Sequence, residues 1–153
     1  MTDTPALRDS RLEALPHHVV RHGQVSSLEE AAIARGMKPN QVIKTMVVRR
    51  ADEDYLFVLV PGDRIISWTK LRSHLAVSRL SMPDADDAQR VTGYRKGTIT
   101  PLGSTTPWPV VADERITGIA SIGGGDHGVS LTVDSTDLVK VLGATVADVT
   151  DPV

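Results

Sequence analysis

Lys44 sits inside a β-branched apolar run, Gln41-Val42-Ile43-Lys44-Thr45-Met46-Val47-Val48. With the two-residue side-chain period of a strand, Val42, Lys44, Met46 and Val48 share one face and Ile43, Thr45 and Val47 the other. An ammonium among three apolar neighbours either snorkels at the mouth of a cleft or is held for a specific anionic partner. Two other stretches have the composition of ligand-binding backbone. Residues 91–103 carry three glycines and a proline, including Gly97, Thr98, Ile99, Thr100 and Pro101. Successive N–H groups in such a loop can converge on an oxygen, and glycine permits close approach; the alternative is a plain connecting loop. Gly123-Gly124-Gly125-Asp126-His127-Gly128 exceeds the needs of a minimal hairpin turn, so its backbone is a candidate site lining. His17, His18 and His22 invite a metal reading. No helical His pair and no nearby carboxylate accompanies them, so pocket-lining or surface histidine is the expectation and no metal or cofactor is assigned.

These residues need a frame. Thr4 and Pro5 open an expected helix over residues 6–15, followed by a short strand over 17–22. Ser26 and Ser27 with Glu29 and Glu30 form overlapping capping boxes for a short helix that Gly36 ends. The Lys44 strand and an apolar strand over 55–60 read as a core hairpin. Ser67 caps a helix to Leu75 on which Trp68, Leu71 and Leu75 face the core, a short strand covers 77–80, and Asp84 caps a helix to about Arg90. An edge strand entered through Val110, strands over 116–122 and 129–133, a helix over 138–142 between Asp134 and Gly143, and a last strand over 146–149 complete the chain. Short strands and short helices without regular βαβ spacing indicate α+β.

Length and composition limit the function classes. A chain of 153 residues, 41% hydrophobic, fits one domain over 1–153. With no cysteine, disulfides, thiolate metal sites and cysteine nucleophiles are excluded. Acidic Asp3 and the lack of an apolar segment after it argue against a secretory signal, and the apolar run over 55–61 is too short to span a bilayer, so a cytoplasmic, membrane-free protein is expected. A net charge of −2 argues against a general nucleic-acid coat, but residues 64–96 hold seven basic and three acidic groups, and residues 113–153 two basic and seven acidic. Such asymmetry could steer an RNA end to one side. A triad of Asp126 and His127 with Ser121 or Ser130 is disfavoured, because adjacent Asp and His side chains rarely orient one another and no nucleophile elbow exists.

Taken in order, Glu29-Glu30-Ala31-Ala32, then Val42-Ile43-Lys44-Thr45-Met46-Val47, then Val91-Thr92-Gly93-Tyr94 with Gly97-Thr98-Ile99-Thr100-Pro101-Leu102-Gly103, then Gly125-Asp126-His127-Gly128, the chain resembles the YbaK/EbsC-type aminoacyl-tRNA deacylases. These are free-standing relatives of the editing domain in bacterial prolyl-tRNA synthetases. The resemblance covers about residues 17–150 and implies a mixed, barrel-like β-sheet with flanking short helices. It implies metal-independent trans-editing: hydrolysis of the ester of a mischarged small amino acid (Ala, Cys, Pro, Ser or Thr) on a tRNA acceptor end, with an aminoacyl-tRNA synthetase as a further candidate partner. The alternative is a non-catalytic module that binds the acceptor end or a synthetase. Lys44 matches the family's essential lysine, Gly97 and Pro101 bound its glycine-rich loop, and these three are the expected catalytic elements. His22, Thr45, Thr98, Ile99, Thr100, Gly124, Gly125, Asp126 and His127 are the expected substrate contacts. Many relatives carry serine or alanine before the late glycine and arginine near the place of His127, so the amino acid preferred is not transferred.

Overall fold

The computed structural model describes residues 3–153; Met1 and Thr2 lie outside them. Its strands and helices run β1 (His17–Arg21), α1 (Leu28–Arg35), β2 (Ile43–Ala51), β3 (Asp54–Pro61), β4 (Arg64–Ile66), α2 (Trp68–Leu75) and α3 (Ala85–Thr92). Then come β5 (Val110–Asp113), β6 (Ile119–Gly123), β7 (Val129–Asp134), α4 (Ser135–Leu142), β8 (Thr145–Ala147) and β9 (Thr150–Pro152). The strands form sheets ordered β2-β3-β5-β8, β1-β7-β6 and β4-β9. The first is mixed: β2 runs antiparallel to β3, while β5 is parallel to both β3 and β8. A parallel bridge between Val42 and Ser121 joins the first two sheets, so the strands curl around one another without closing a continuous barrel. Among the described residues no helix is long and apolar enough to cross a membrane.

The β2-β3 hairpin sets the core. Lys44 pairs with Val60 and Thr45 with Leu59, and the alternation expected along β2 is realised. Ile43 and Val47 pack with Phe57 and Leu59 on one side, while Val48 and Met46 pack with Leu56, Val58 and Val60 on the other. Both faces of β3 are therefore covered, which is why its sequence is an unbroken apolar run; each such side chain contributes about 1.5–3 kcal/mol of burial. α2 closes the second side through Leu71 and the partly buried Trp68, in the core role expected. Ser27, Ser67, Asp84 and Asp134 each accept a backbone N–H of the first turn that follows, and Gly36, Gly93 and Gly143 end three of these helices in the left-handed region.

Four expected elements differ. β5 is an interior strand between β3 and β8 rather than an edge strand, because its parallel partners lie about 50 and 35 residues away in the chain, a separation that local pattern does not reveal. Residues 77–80 form no strand; only Ser81 bridges to Arg49. The last strand is two, β8 and β9, on different sheets. Residues 6–15 form two 3-10 turns, Ala6–Arg8 and Ser10–Ala14, in place of one α-helix.

Asp9 is the cause of that break. Its carboxylate accepts from the Arg11 backbone N–H at 2.8 Å and from the Gly103 N–H at 2.7 Å, with the Arg11 guanidinium alongside at 2.7 Å. Partial burial alone would push the Asp9 carboxyl up, but the bonds from the Arg11 side chain and the two backbone groups outweigh it and hold it at about 2 against the ordinary 3.8. A depressed carboxyl contributes stability above its unfolded value that is lost as pH falls through the folded one. Asp9→Asn should therefore cost about 1–2 kcal/mol at pH 7, after allowing for the solvent around Arg11, with the deficit shrinking between about pH 4 and pH 2. Urea denaturation of both proteins across that range checks it; a deficit independent of pH would remove the carboxylate from this role.

The two oppositely charged segments meet at one point. Lys70 pairs with Asp148 at 3.1 Å and Asp151 at 3.2 Å, Arg115 with Asp148 at 2.8 Å, and Arg64 donates to the Thr150 hydroxyl at 2.7 Å. Lys70 of the basic segment is thus met by two carboxylates of the acidic one where α2 lies against β9.

Candidate functional site

The described residues enclose a cleft of about 770 Å³. Its floor is β2 from Val42 to Val47; one wall is α1, where Leu28, Ala31 and Arg35 form a stripe, and another is the start of α3 with Ala85 and Ala88. The rim is backbone from two loops, Lys96 to Ile99 and the turn containing Gly123, Gly125, Asp126, His127 and Gly128. The two loops touch: a Cβ on Gly97 would lie 3.3 Å from His127 Cε1.

Lys44 lines this cleft half-buried, and its ammonium donates to the Arg64 main-chain carbonyl. Burial pushes its pKa down, opposed by the nearby Asp63 carboxylate. An ammonium has three hydrogens, so one bond to a carbonyl leaves two for a ligand. Its partner in the structure is therefore a neutral carbonyl rather than an anion.

The loop after α3 is a tight turn. Gly97 has φ +89°, and Thr98 spends both its N–H, at 3.0 Å, and its hydroxyl, at 2.8 Å, on the Arg95 carbonyl. The N–H groups of Gly97, Ile99 and Thr100 have no protein partner among the described residues. Pro101 and Thr100 are buried and do not line the cleft. The Pro101 carbonyl accepts from Arg11 at 3.1 Å, and the Thr100 hydroxyl accepts the Leu102 N–H at 3.3 Å. Both set the loop's shape from behind.

The glycine-rich turn is fixed from the same side. The buried Thr4 hydroxyl donates to the Gly124 carbonyl at 2.6 Å, which keeps Gly124 out of the cleft lining. A Cβ on Gly125 would meet Tyr94 at 3.0 Å and Thr4 at 3.2 Å. The Tyr94 hydroxyl donates to the Leu102 carbonyl at 2.6 Å, and desolvation pushes it up to about 12, so it stays a donor at neutral pH. Asp126 accepts the His127 backbone N–H at 2.8 Å rather than its ring. Ser121 and Ser130 are fully buried. These placements do not assemble a Ser-His-Asp triad.

Two of the early histidines have separate roles, and His18 is exposed on β1. His17 Nδ1 meets the Leu15 carbonyl at 2.6 Å, as a strand-start bond. His22 lines the cleft, anchored by its own N–H to the Gly128 carbonyl at 2.9 Å. Its Nδ1 lies 2.7 Å from the Gly23 carbonyl. A carbonyl only accepts, so Nδ1 is the donor of that pair, and Nε2 is buried with no partner among the described residues. Of the residues expected from sequence, Lys44, Thr45, Gly97, Thr98, Ile99, His22, Gly125, Asp126 and His127 meet at the cleft; Pro101, Thr100 and Gly124 stand behind it. Arg35 lines it too and carried no motif; its i, i+3, i+7 spacing from Leu28 and Ala31 is the one signal that could have found it.

A cation, free backbone donors and a bare imidazole nitrogen around one cleft suit an acyl or phosphoryl ligand, and similarity to known proteins narrows the choice. The proline–tRNA ligase of Citrifermentans bemidjiense is 35% identical over 102 residues, 67% of this chain and 18% of the ligase. That of Caldicellulosiruptor saccharolyticus is 35% identical over 79 residues, 52% of this chain and 14% of the ligase. The chain thus spans under a fifth of these relatives. Two solved structures share the fold: a candidate trans-editing enzyme for prolyl tRNA synthetase, with TM-score 0.84 and 22% identity over 98% of this chain and 99% of that one, and the hypothetical protein APE2540, with TM-score 0.82 and 23% identity over 92% and 95%. The profile of the aminoacyl-tRNA editing domain matches residues 22–141, the stretch that carries α1, the Lys44 strand and both rim loops, and the chain accordingly belongs to the aminoacyl-tRNA editing domain family.

Proposed function

We propose that the cleft hydrolyses the ester between a small amino acid (Ala, Cys, Pro, Ser or Thr) and the terminal ribose of the wrong tRNA, in trans and without a metal. The observation that carries this reading is the convergence of Lys44, the free N–H groups of Gly97 and Ile99 and the glycine-rich turn on one cleft. In the step proposed, a water oxygen bonds to the acyl carbon while negative charge develops on the carbonyl oxygen. The N–H groups of Gly97 and Ile99, with Lys44, are the donors for that charge. The acyl carbon then parts from the ribose oxygen, which takes one proton of the water, and the amino acid leaves as a carboxylate with the second proton released. The substrate needs no protein nucleophile, only a held geometry. His22 Nε2 is an acceptor suited to the substrate's α-ammonium. The chain acts as one domain in the cytoplasm, and a synthetase is a second partner in this reading because the matching segments lie within proline–tRNA ligases.

The test is amino-acid release from alanyl-, cysteinyl-, seryl-, threonyl- and prolyl-tRNAs, each on a noncognate acceptor, with and without a chelator. Release from at least one pair, at least tenfold above the uncatalysed rate and unchanged by chelator, is the expected result. Tight binding with no release from any pair would instead favour a non-catalytic acceptor-end module.

A further inference from the structure

Arg35 is a cation in this cleft with no acid to answer it. The stripe it shares with Leu28 and Ala31 turns it to the cleft. Its Nη1 donates to the buried Ser121 hydroxyl at 3.3 Å, its Nε is buried without a partner, and among the described residues no carboxylate pairs with it. Three other partly exposed arginines contrast with it: Arg11 is paired with Asp9, Arg50 with Asp54, and Arg90 with Glu53 and Asp87. Burial, with no opposing charge, pushes the Arg35 pKa down. A guanidinium has five donors and a planar fork that fits phosphate, and leaving it desolvated with one long bond is costly. Its position is also specific. Ser121 bridges to Val42, which puts Arg35 beside the start of the strand that carries Lys44, about 7 Å of chain from it.

The substrate class selects the anion. In an aminoacyl ester the amino acid's carboxylate is consumed and its amino group is cationic, so the negative groups near the reacting end are the phosphodiesters of the RNA. We propose that Arg35 binds a backbone phosphate of the single-stranded RNA 3′ end. The assignment rests on the tRNA reading above. It leaves the Lys44 ammonium for the ester carbonyl, so Arg35 serves anchoring and Lys44 the chemistry.

The experiment measures binding of an uncharged, CCA-ended acceptor minihelix by fluorescence anisotropy across a salt series, for wild type, Arg35→Met and Arg35→Lys. Arg35→Met should weaken binding about tenfold and flatten the dependence of log K on log salt by about 0.7, the contribution of one phosphate contact on a single strand. Arg35→Lys should recover the slope and part of the affinity, since it keeps the charge and loses the fork. Thermal unfolding of Arg35→Met should be at or above the wild-type midpoint, because an unpaired buried cation has been removed. Equal binding and equal slope in Arg35→Met would overturn the proposal, as would a midpoint drop in both variants, which would mark a structural arginine. Protection of wild type by millimolar inorganic phosphate, with minihelix binding unaffected by Arg35→Met, would reassign the site to a free anion and overturn it too. Failure of the wild type to deacylate any tRNA would sink the proposed function and leave this binding test standing.

Discussion

Lys44→Met should lower the single-turnover rate constant for ester hydrolysis at saturating substrate by about 10²–10³-fold, the effect of deleting one donor from an oxyanion site. Methionine keeps most of the stem that lies along the cleft, so the change removes the ammonium and little else. In the fold that ammonium satisfies one carbonyl, Arg64, and it is partly desolvated. Losing the bond and losing the desolvation oppose each other, and stability should move by about 1 kcal/mol or less. The kinetic form of the loss is as informative as its size. If Lys44 donates to the ester carbonyl as charge builds, the saturating rate falls and the half-saturation concentration holds; if it grips phosphate, the pattern reverses. With Arg35 on the phosphate, the first pattern is expected for Lys44→Met and the second for Arg35→Met. An unchanged saturating rate in a folded Lys44→Met protein would remove Lys44 from the chemistry.

What could be read before folding was what is written locally. The alternation across Lys44, the unbroken apolar run of β3, and the serine, aspartate and glycine caps each depend on residues within a turn or two. Lys44, Gly97 and the turn at His127 were legible as unusual residues for their surroundings, and they do meet at one cleft. The rest depends on partners far along the chain. Val110 became interior because Phe57 pairs with it in parallel, and Asp9 broke a helix because it bonds to Gly103. Arg35 occupies the last turn of α1, where a cation is ordinary, and stands out only because, among the described residues, no carboxylate pairs with it. Pro101, Thr100 and Gly124 show the converse. They belong to recognisable loops, but a motif marks the segment that must hold a shape, and some of its residues hold that shape from the far side.

Gly103→Ala should destabilise the protein by about 3 kcal/mol and also slow hydrolysis, although Gly103 lines no part of the cleft. Its φ is +71°, which in alanine costs about 1–2 kcal/mol. The remainder is steric. A Cβ there would lie 2.3 Å from the Pro5 carbonyl carbon and 2.5 Å from the Ala6 nitrogen, and backbone cannot rotate aside as a side chain can. The N-terminal segment would have to lift, loosening the Gly103 N–H bond to Asp9 at 2.7 Å and the Thr4 bond to the Gly124 carbonyl at 2.6 Å. The second of these supports the glycine-rich turn from behind, so the damage reaches the rim beside His127. Gly36 supplies the control: its φ is +70°, but a Cβ there meets nothing within 4 Å. Gly36→Ala should therefore cost only the conformational part, about 1–2 kcal/mol, and leave hydrolysis unchanged. Urea denaturation and single-turnover assays of the two variants separate strain from contact. Equal losses at Gly103 and Gly36 would mean that the N-terminal turns do not press on the loop, and that Thr4 and Asp9 do not brace the cleft.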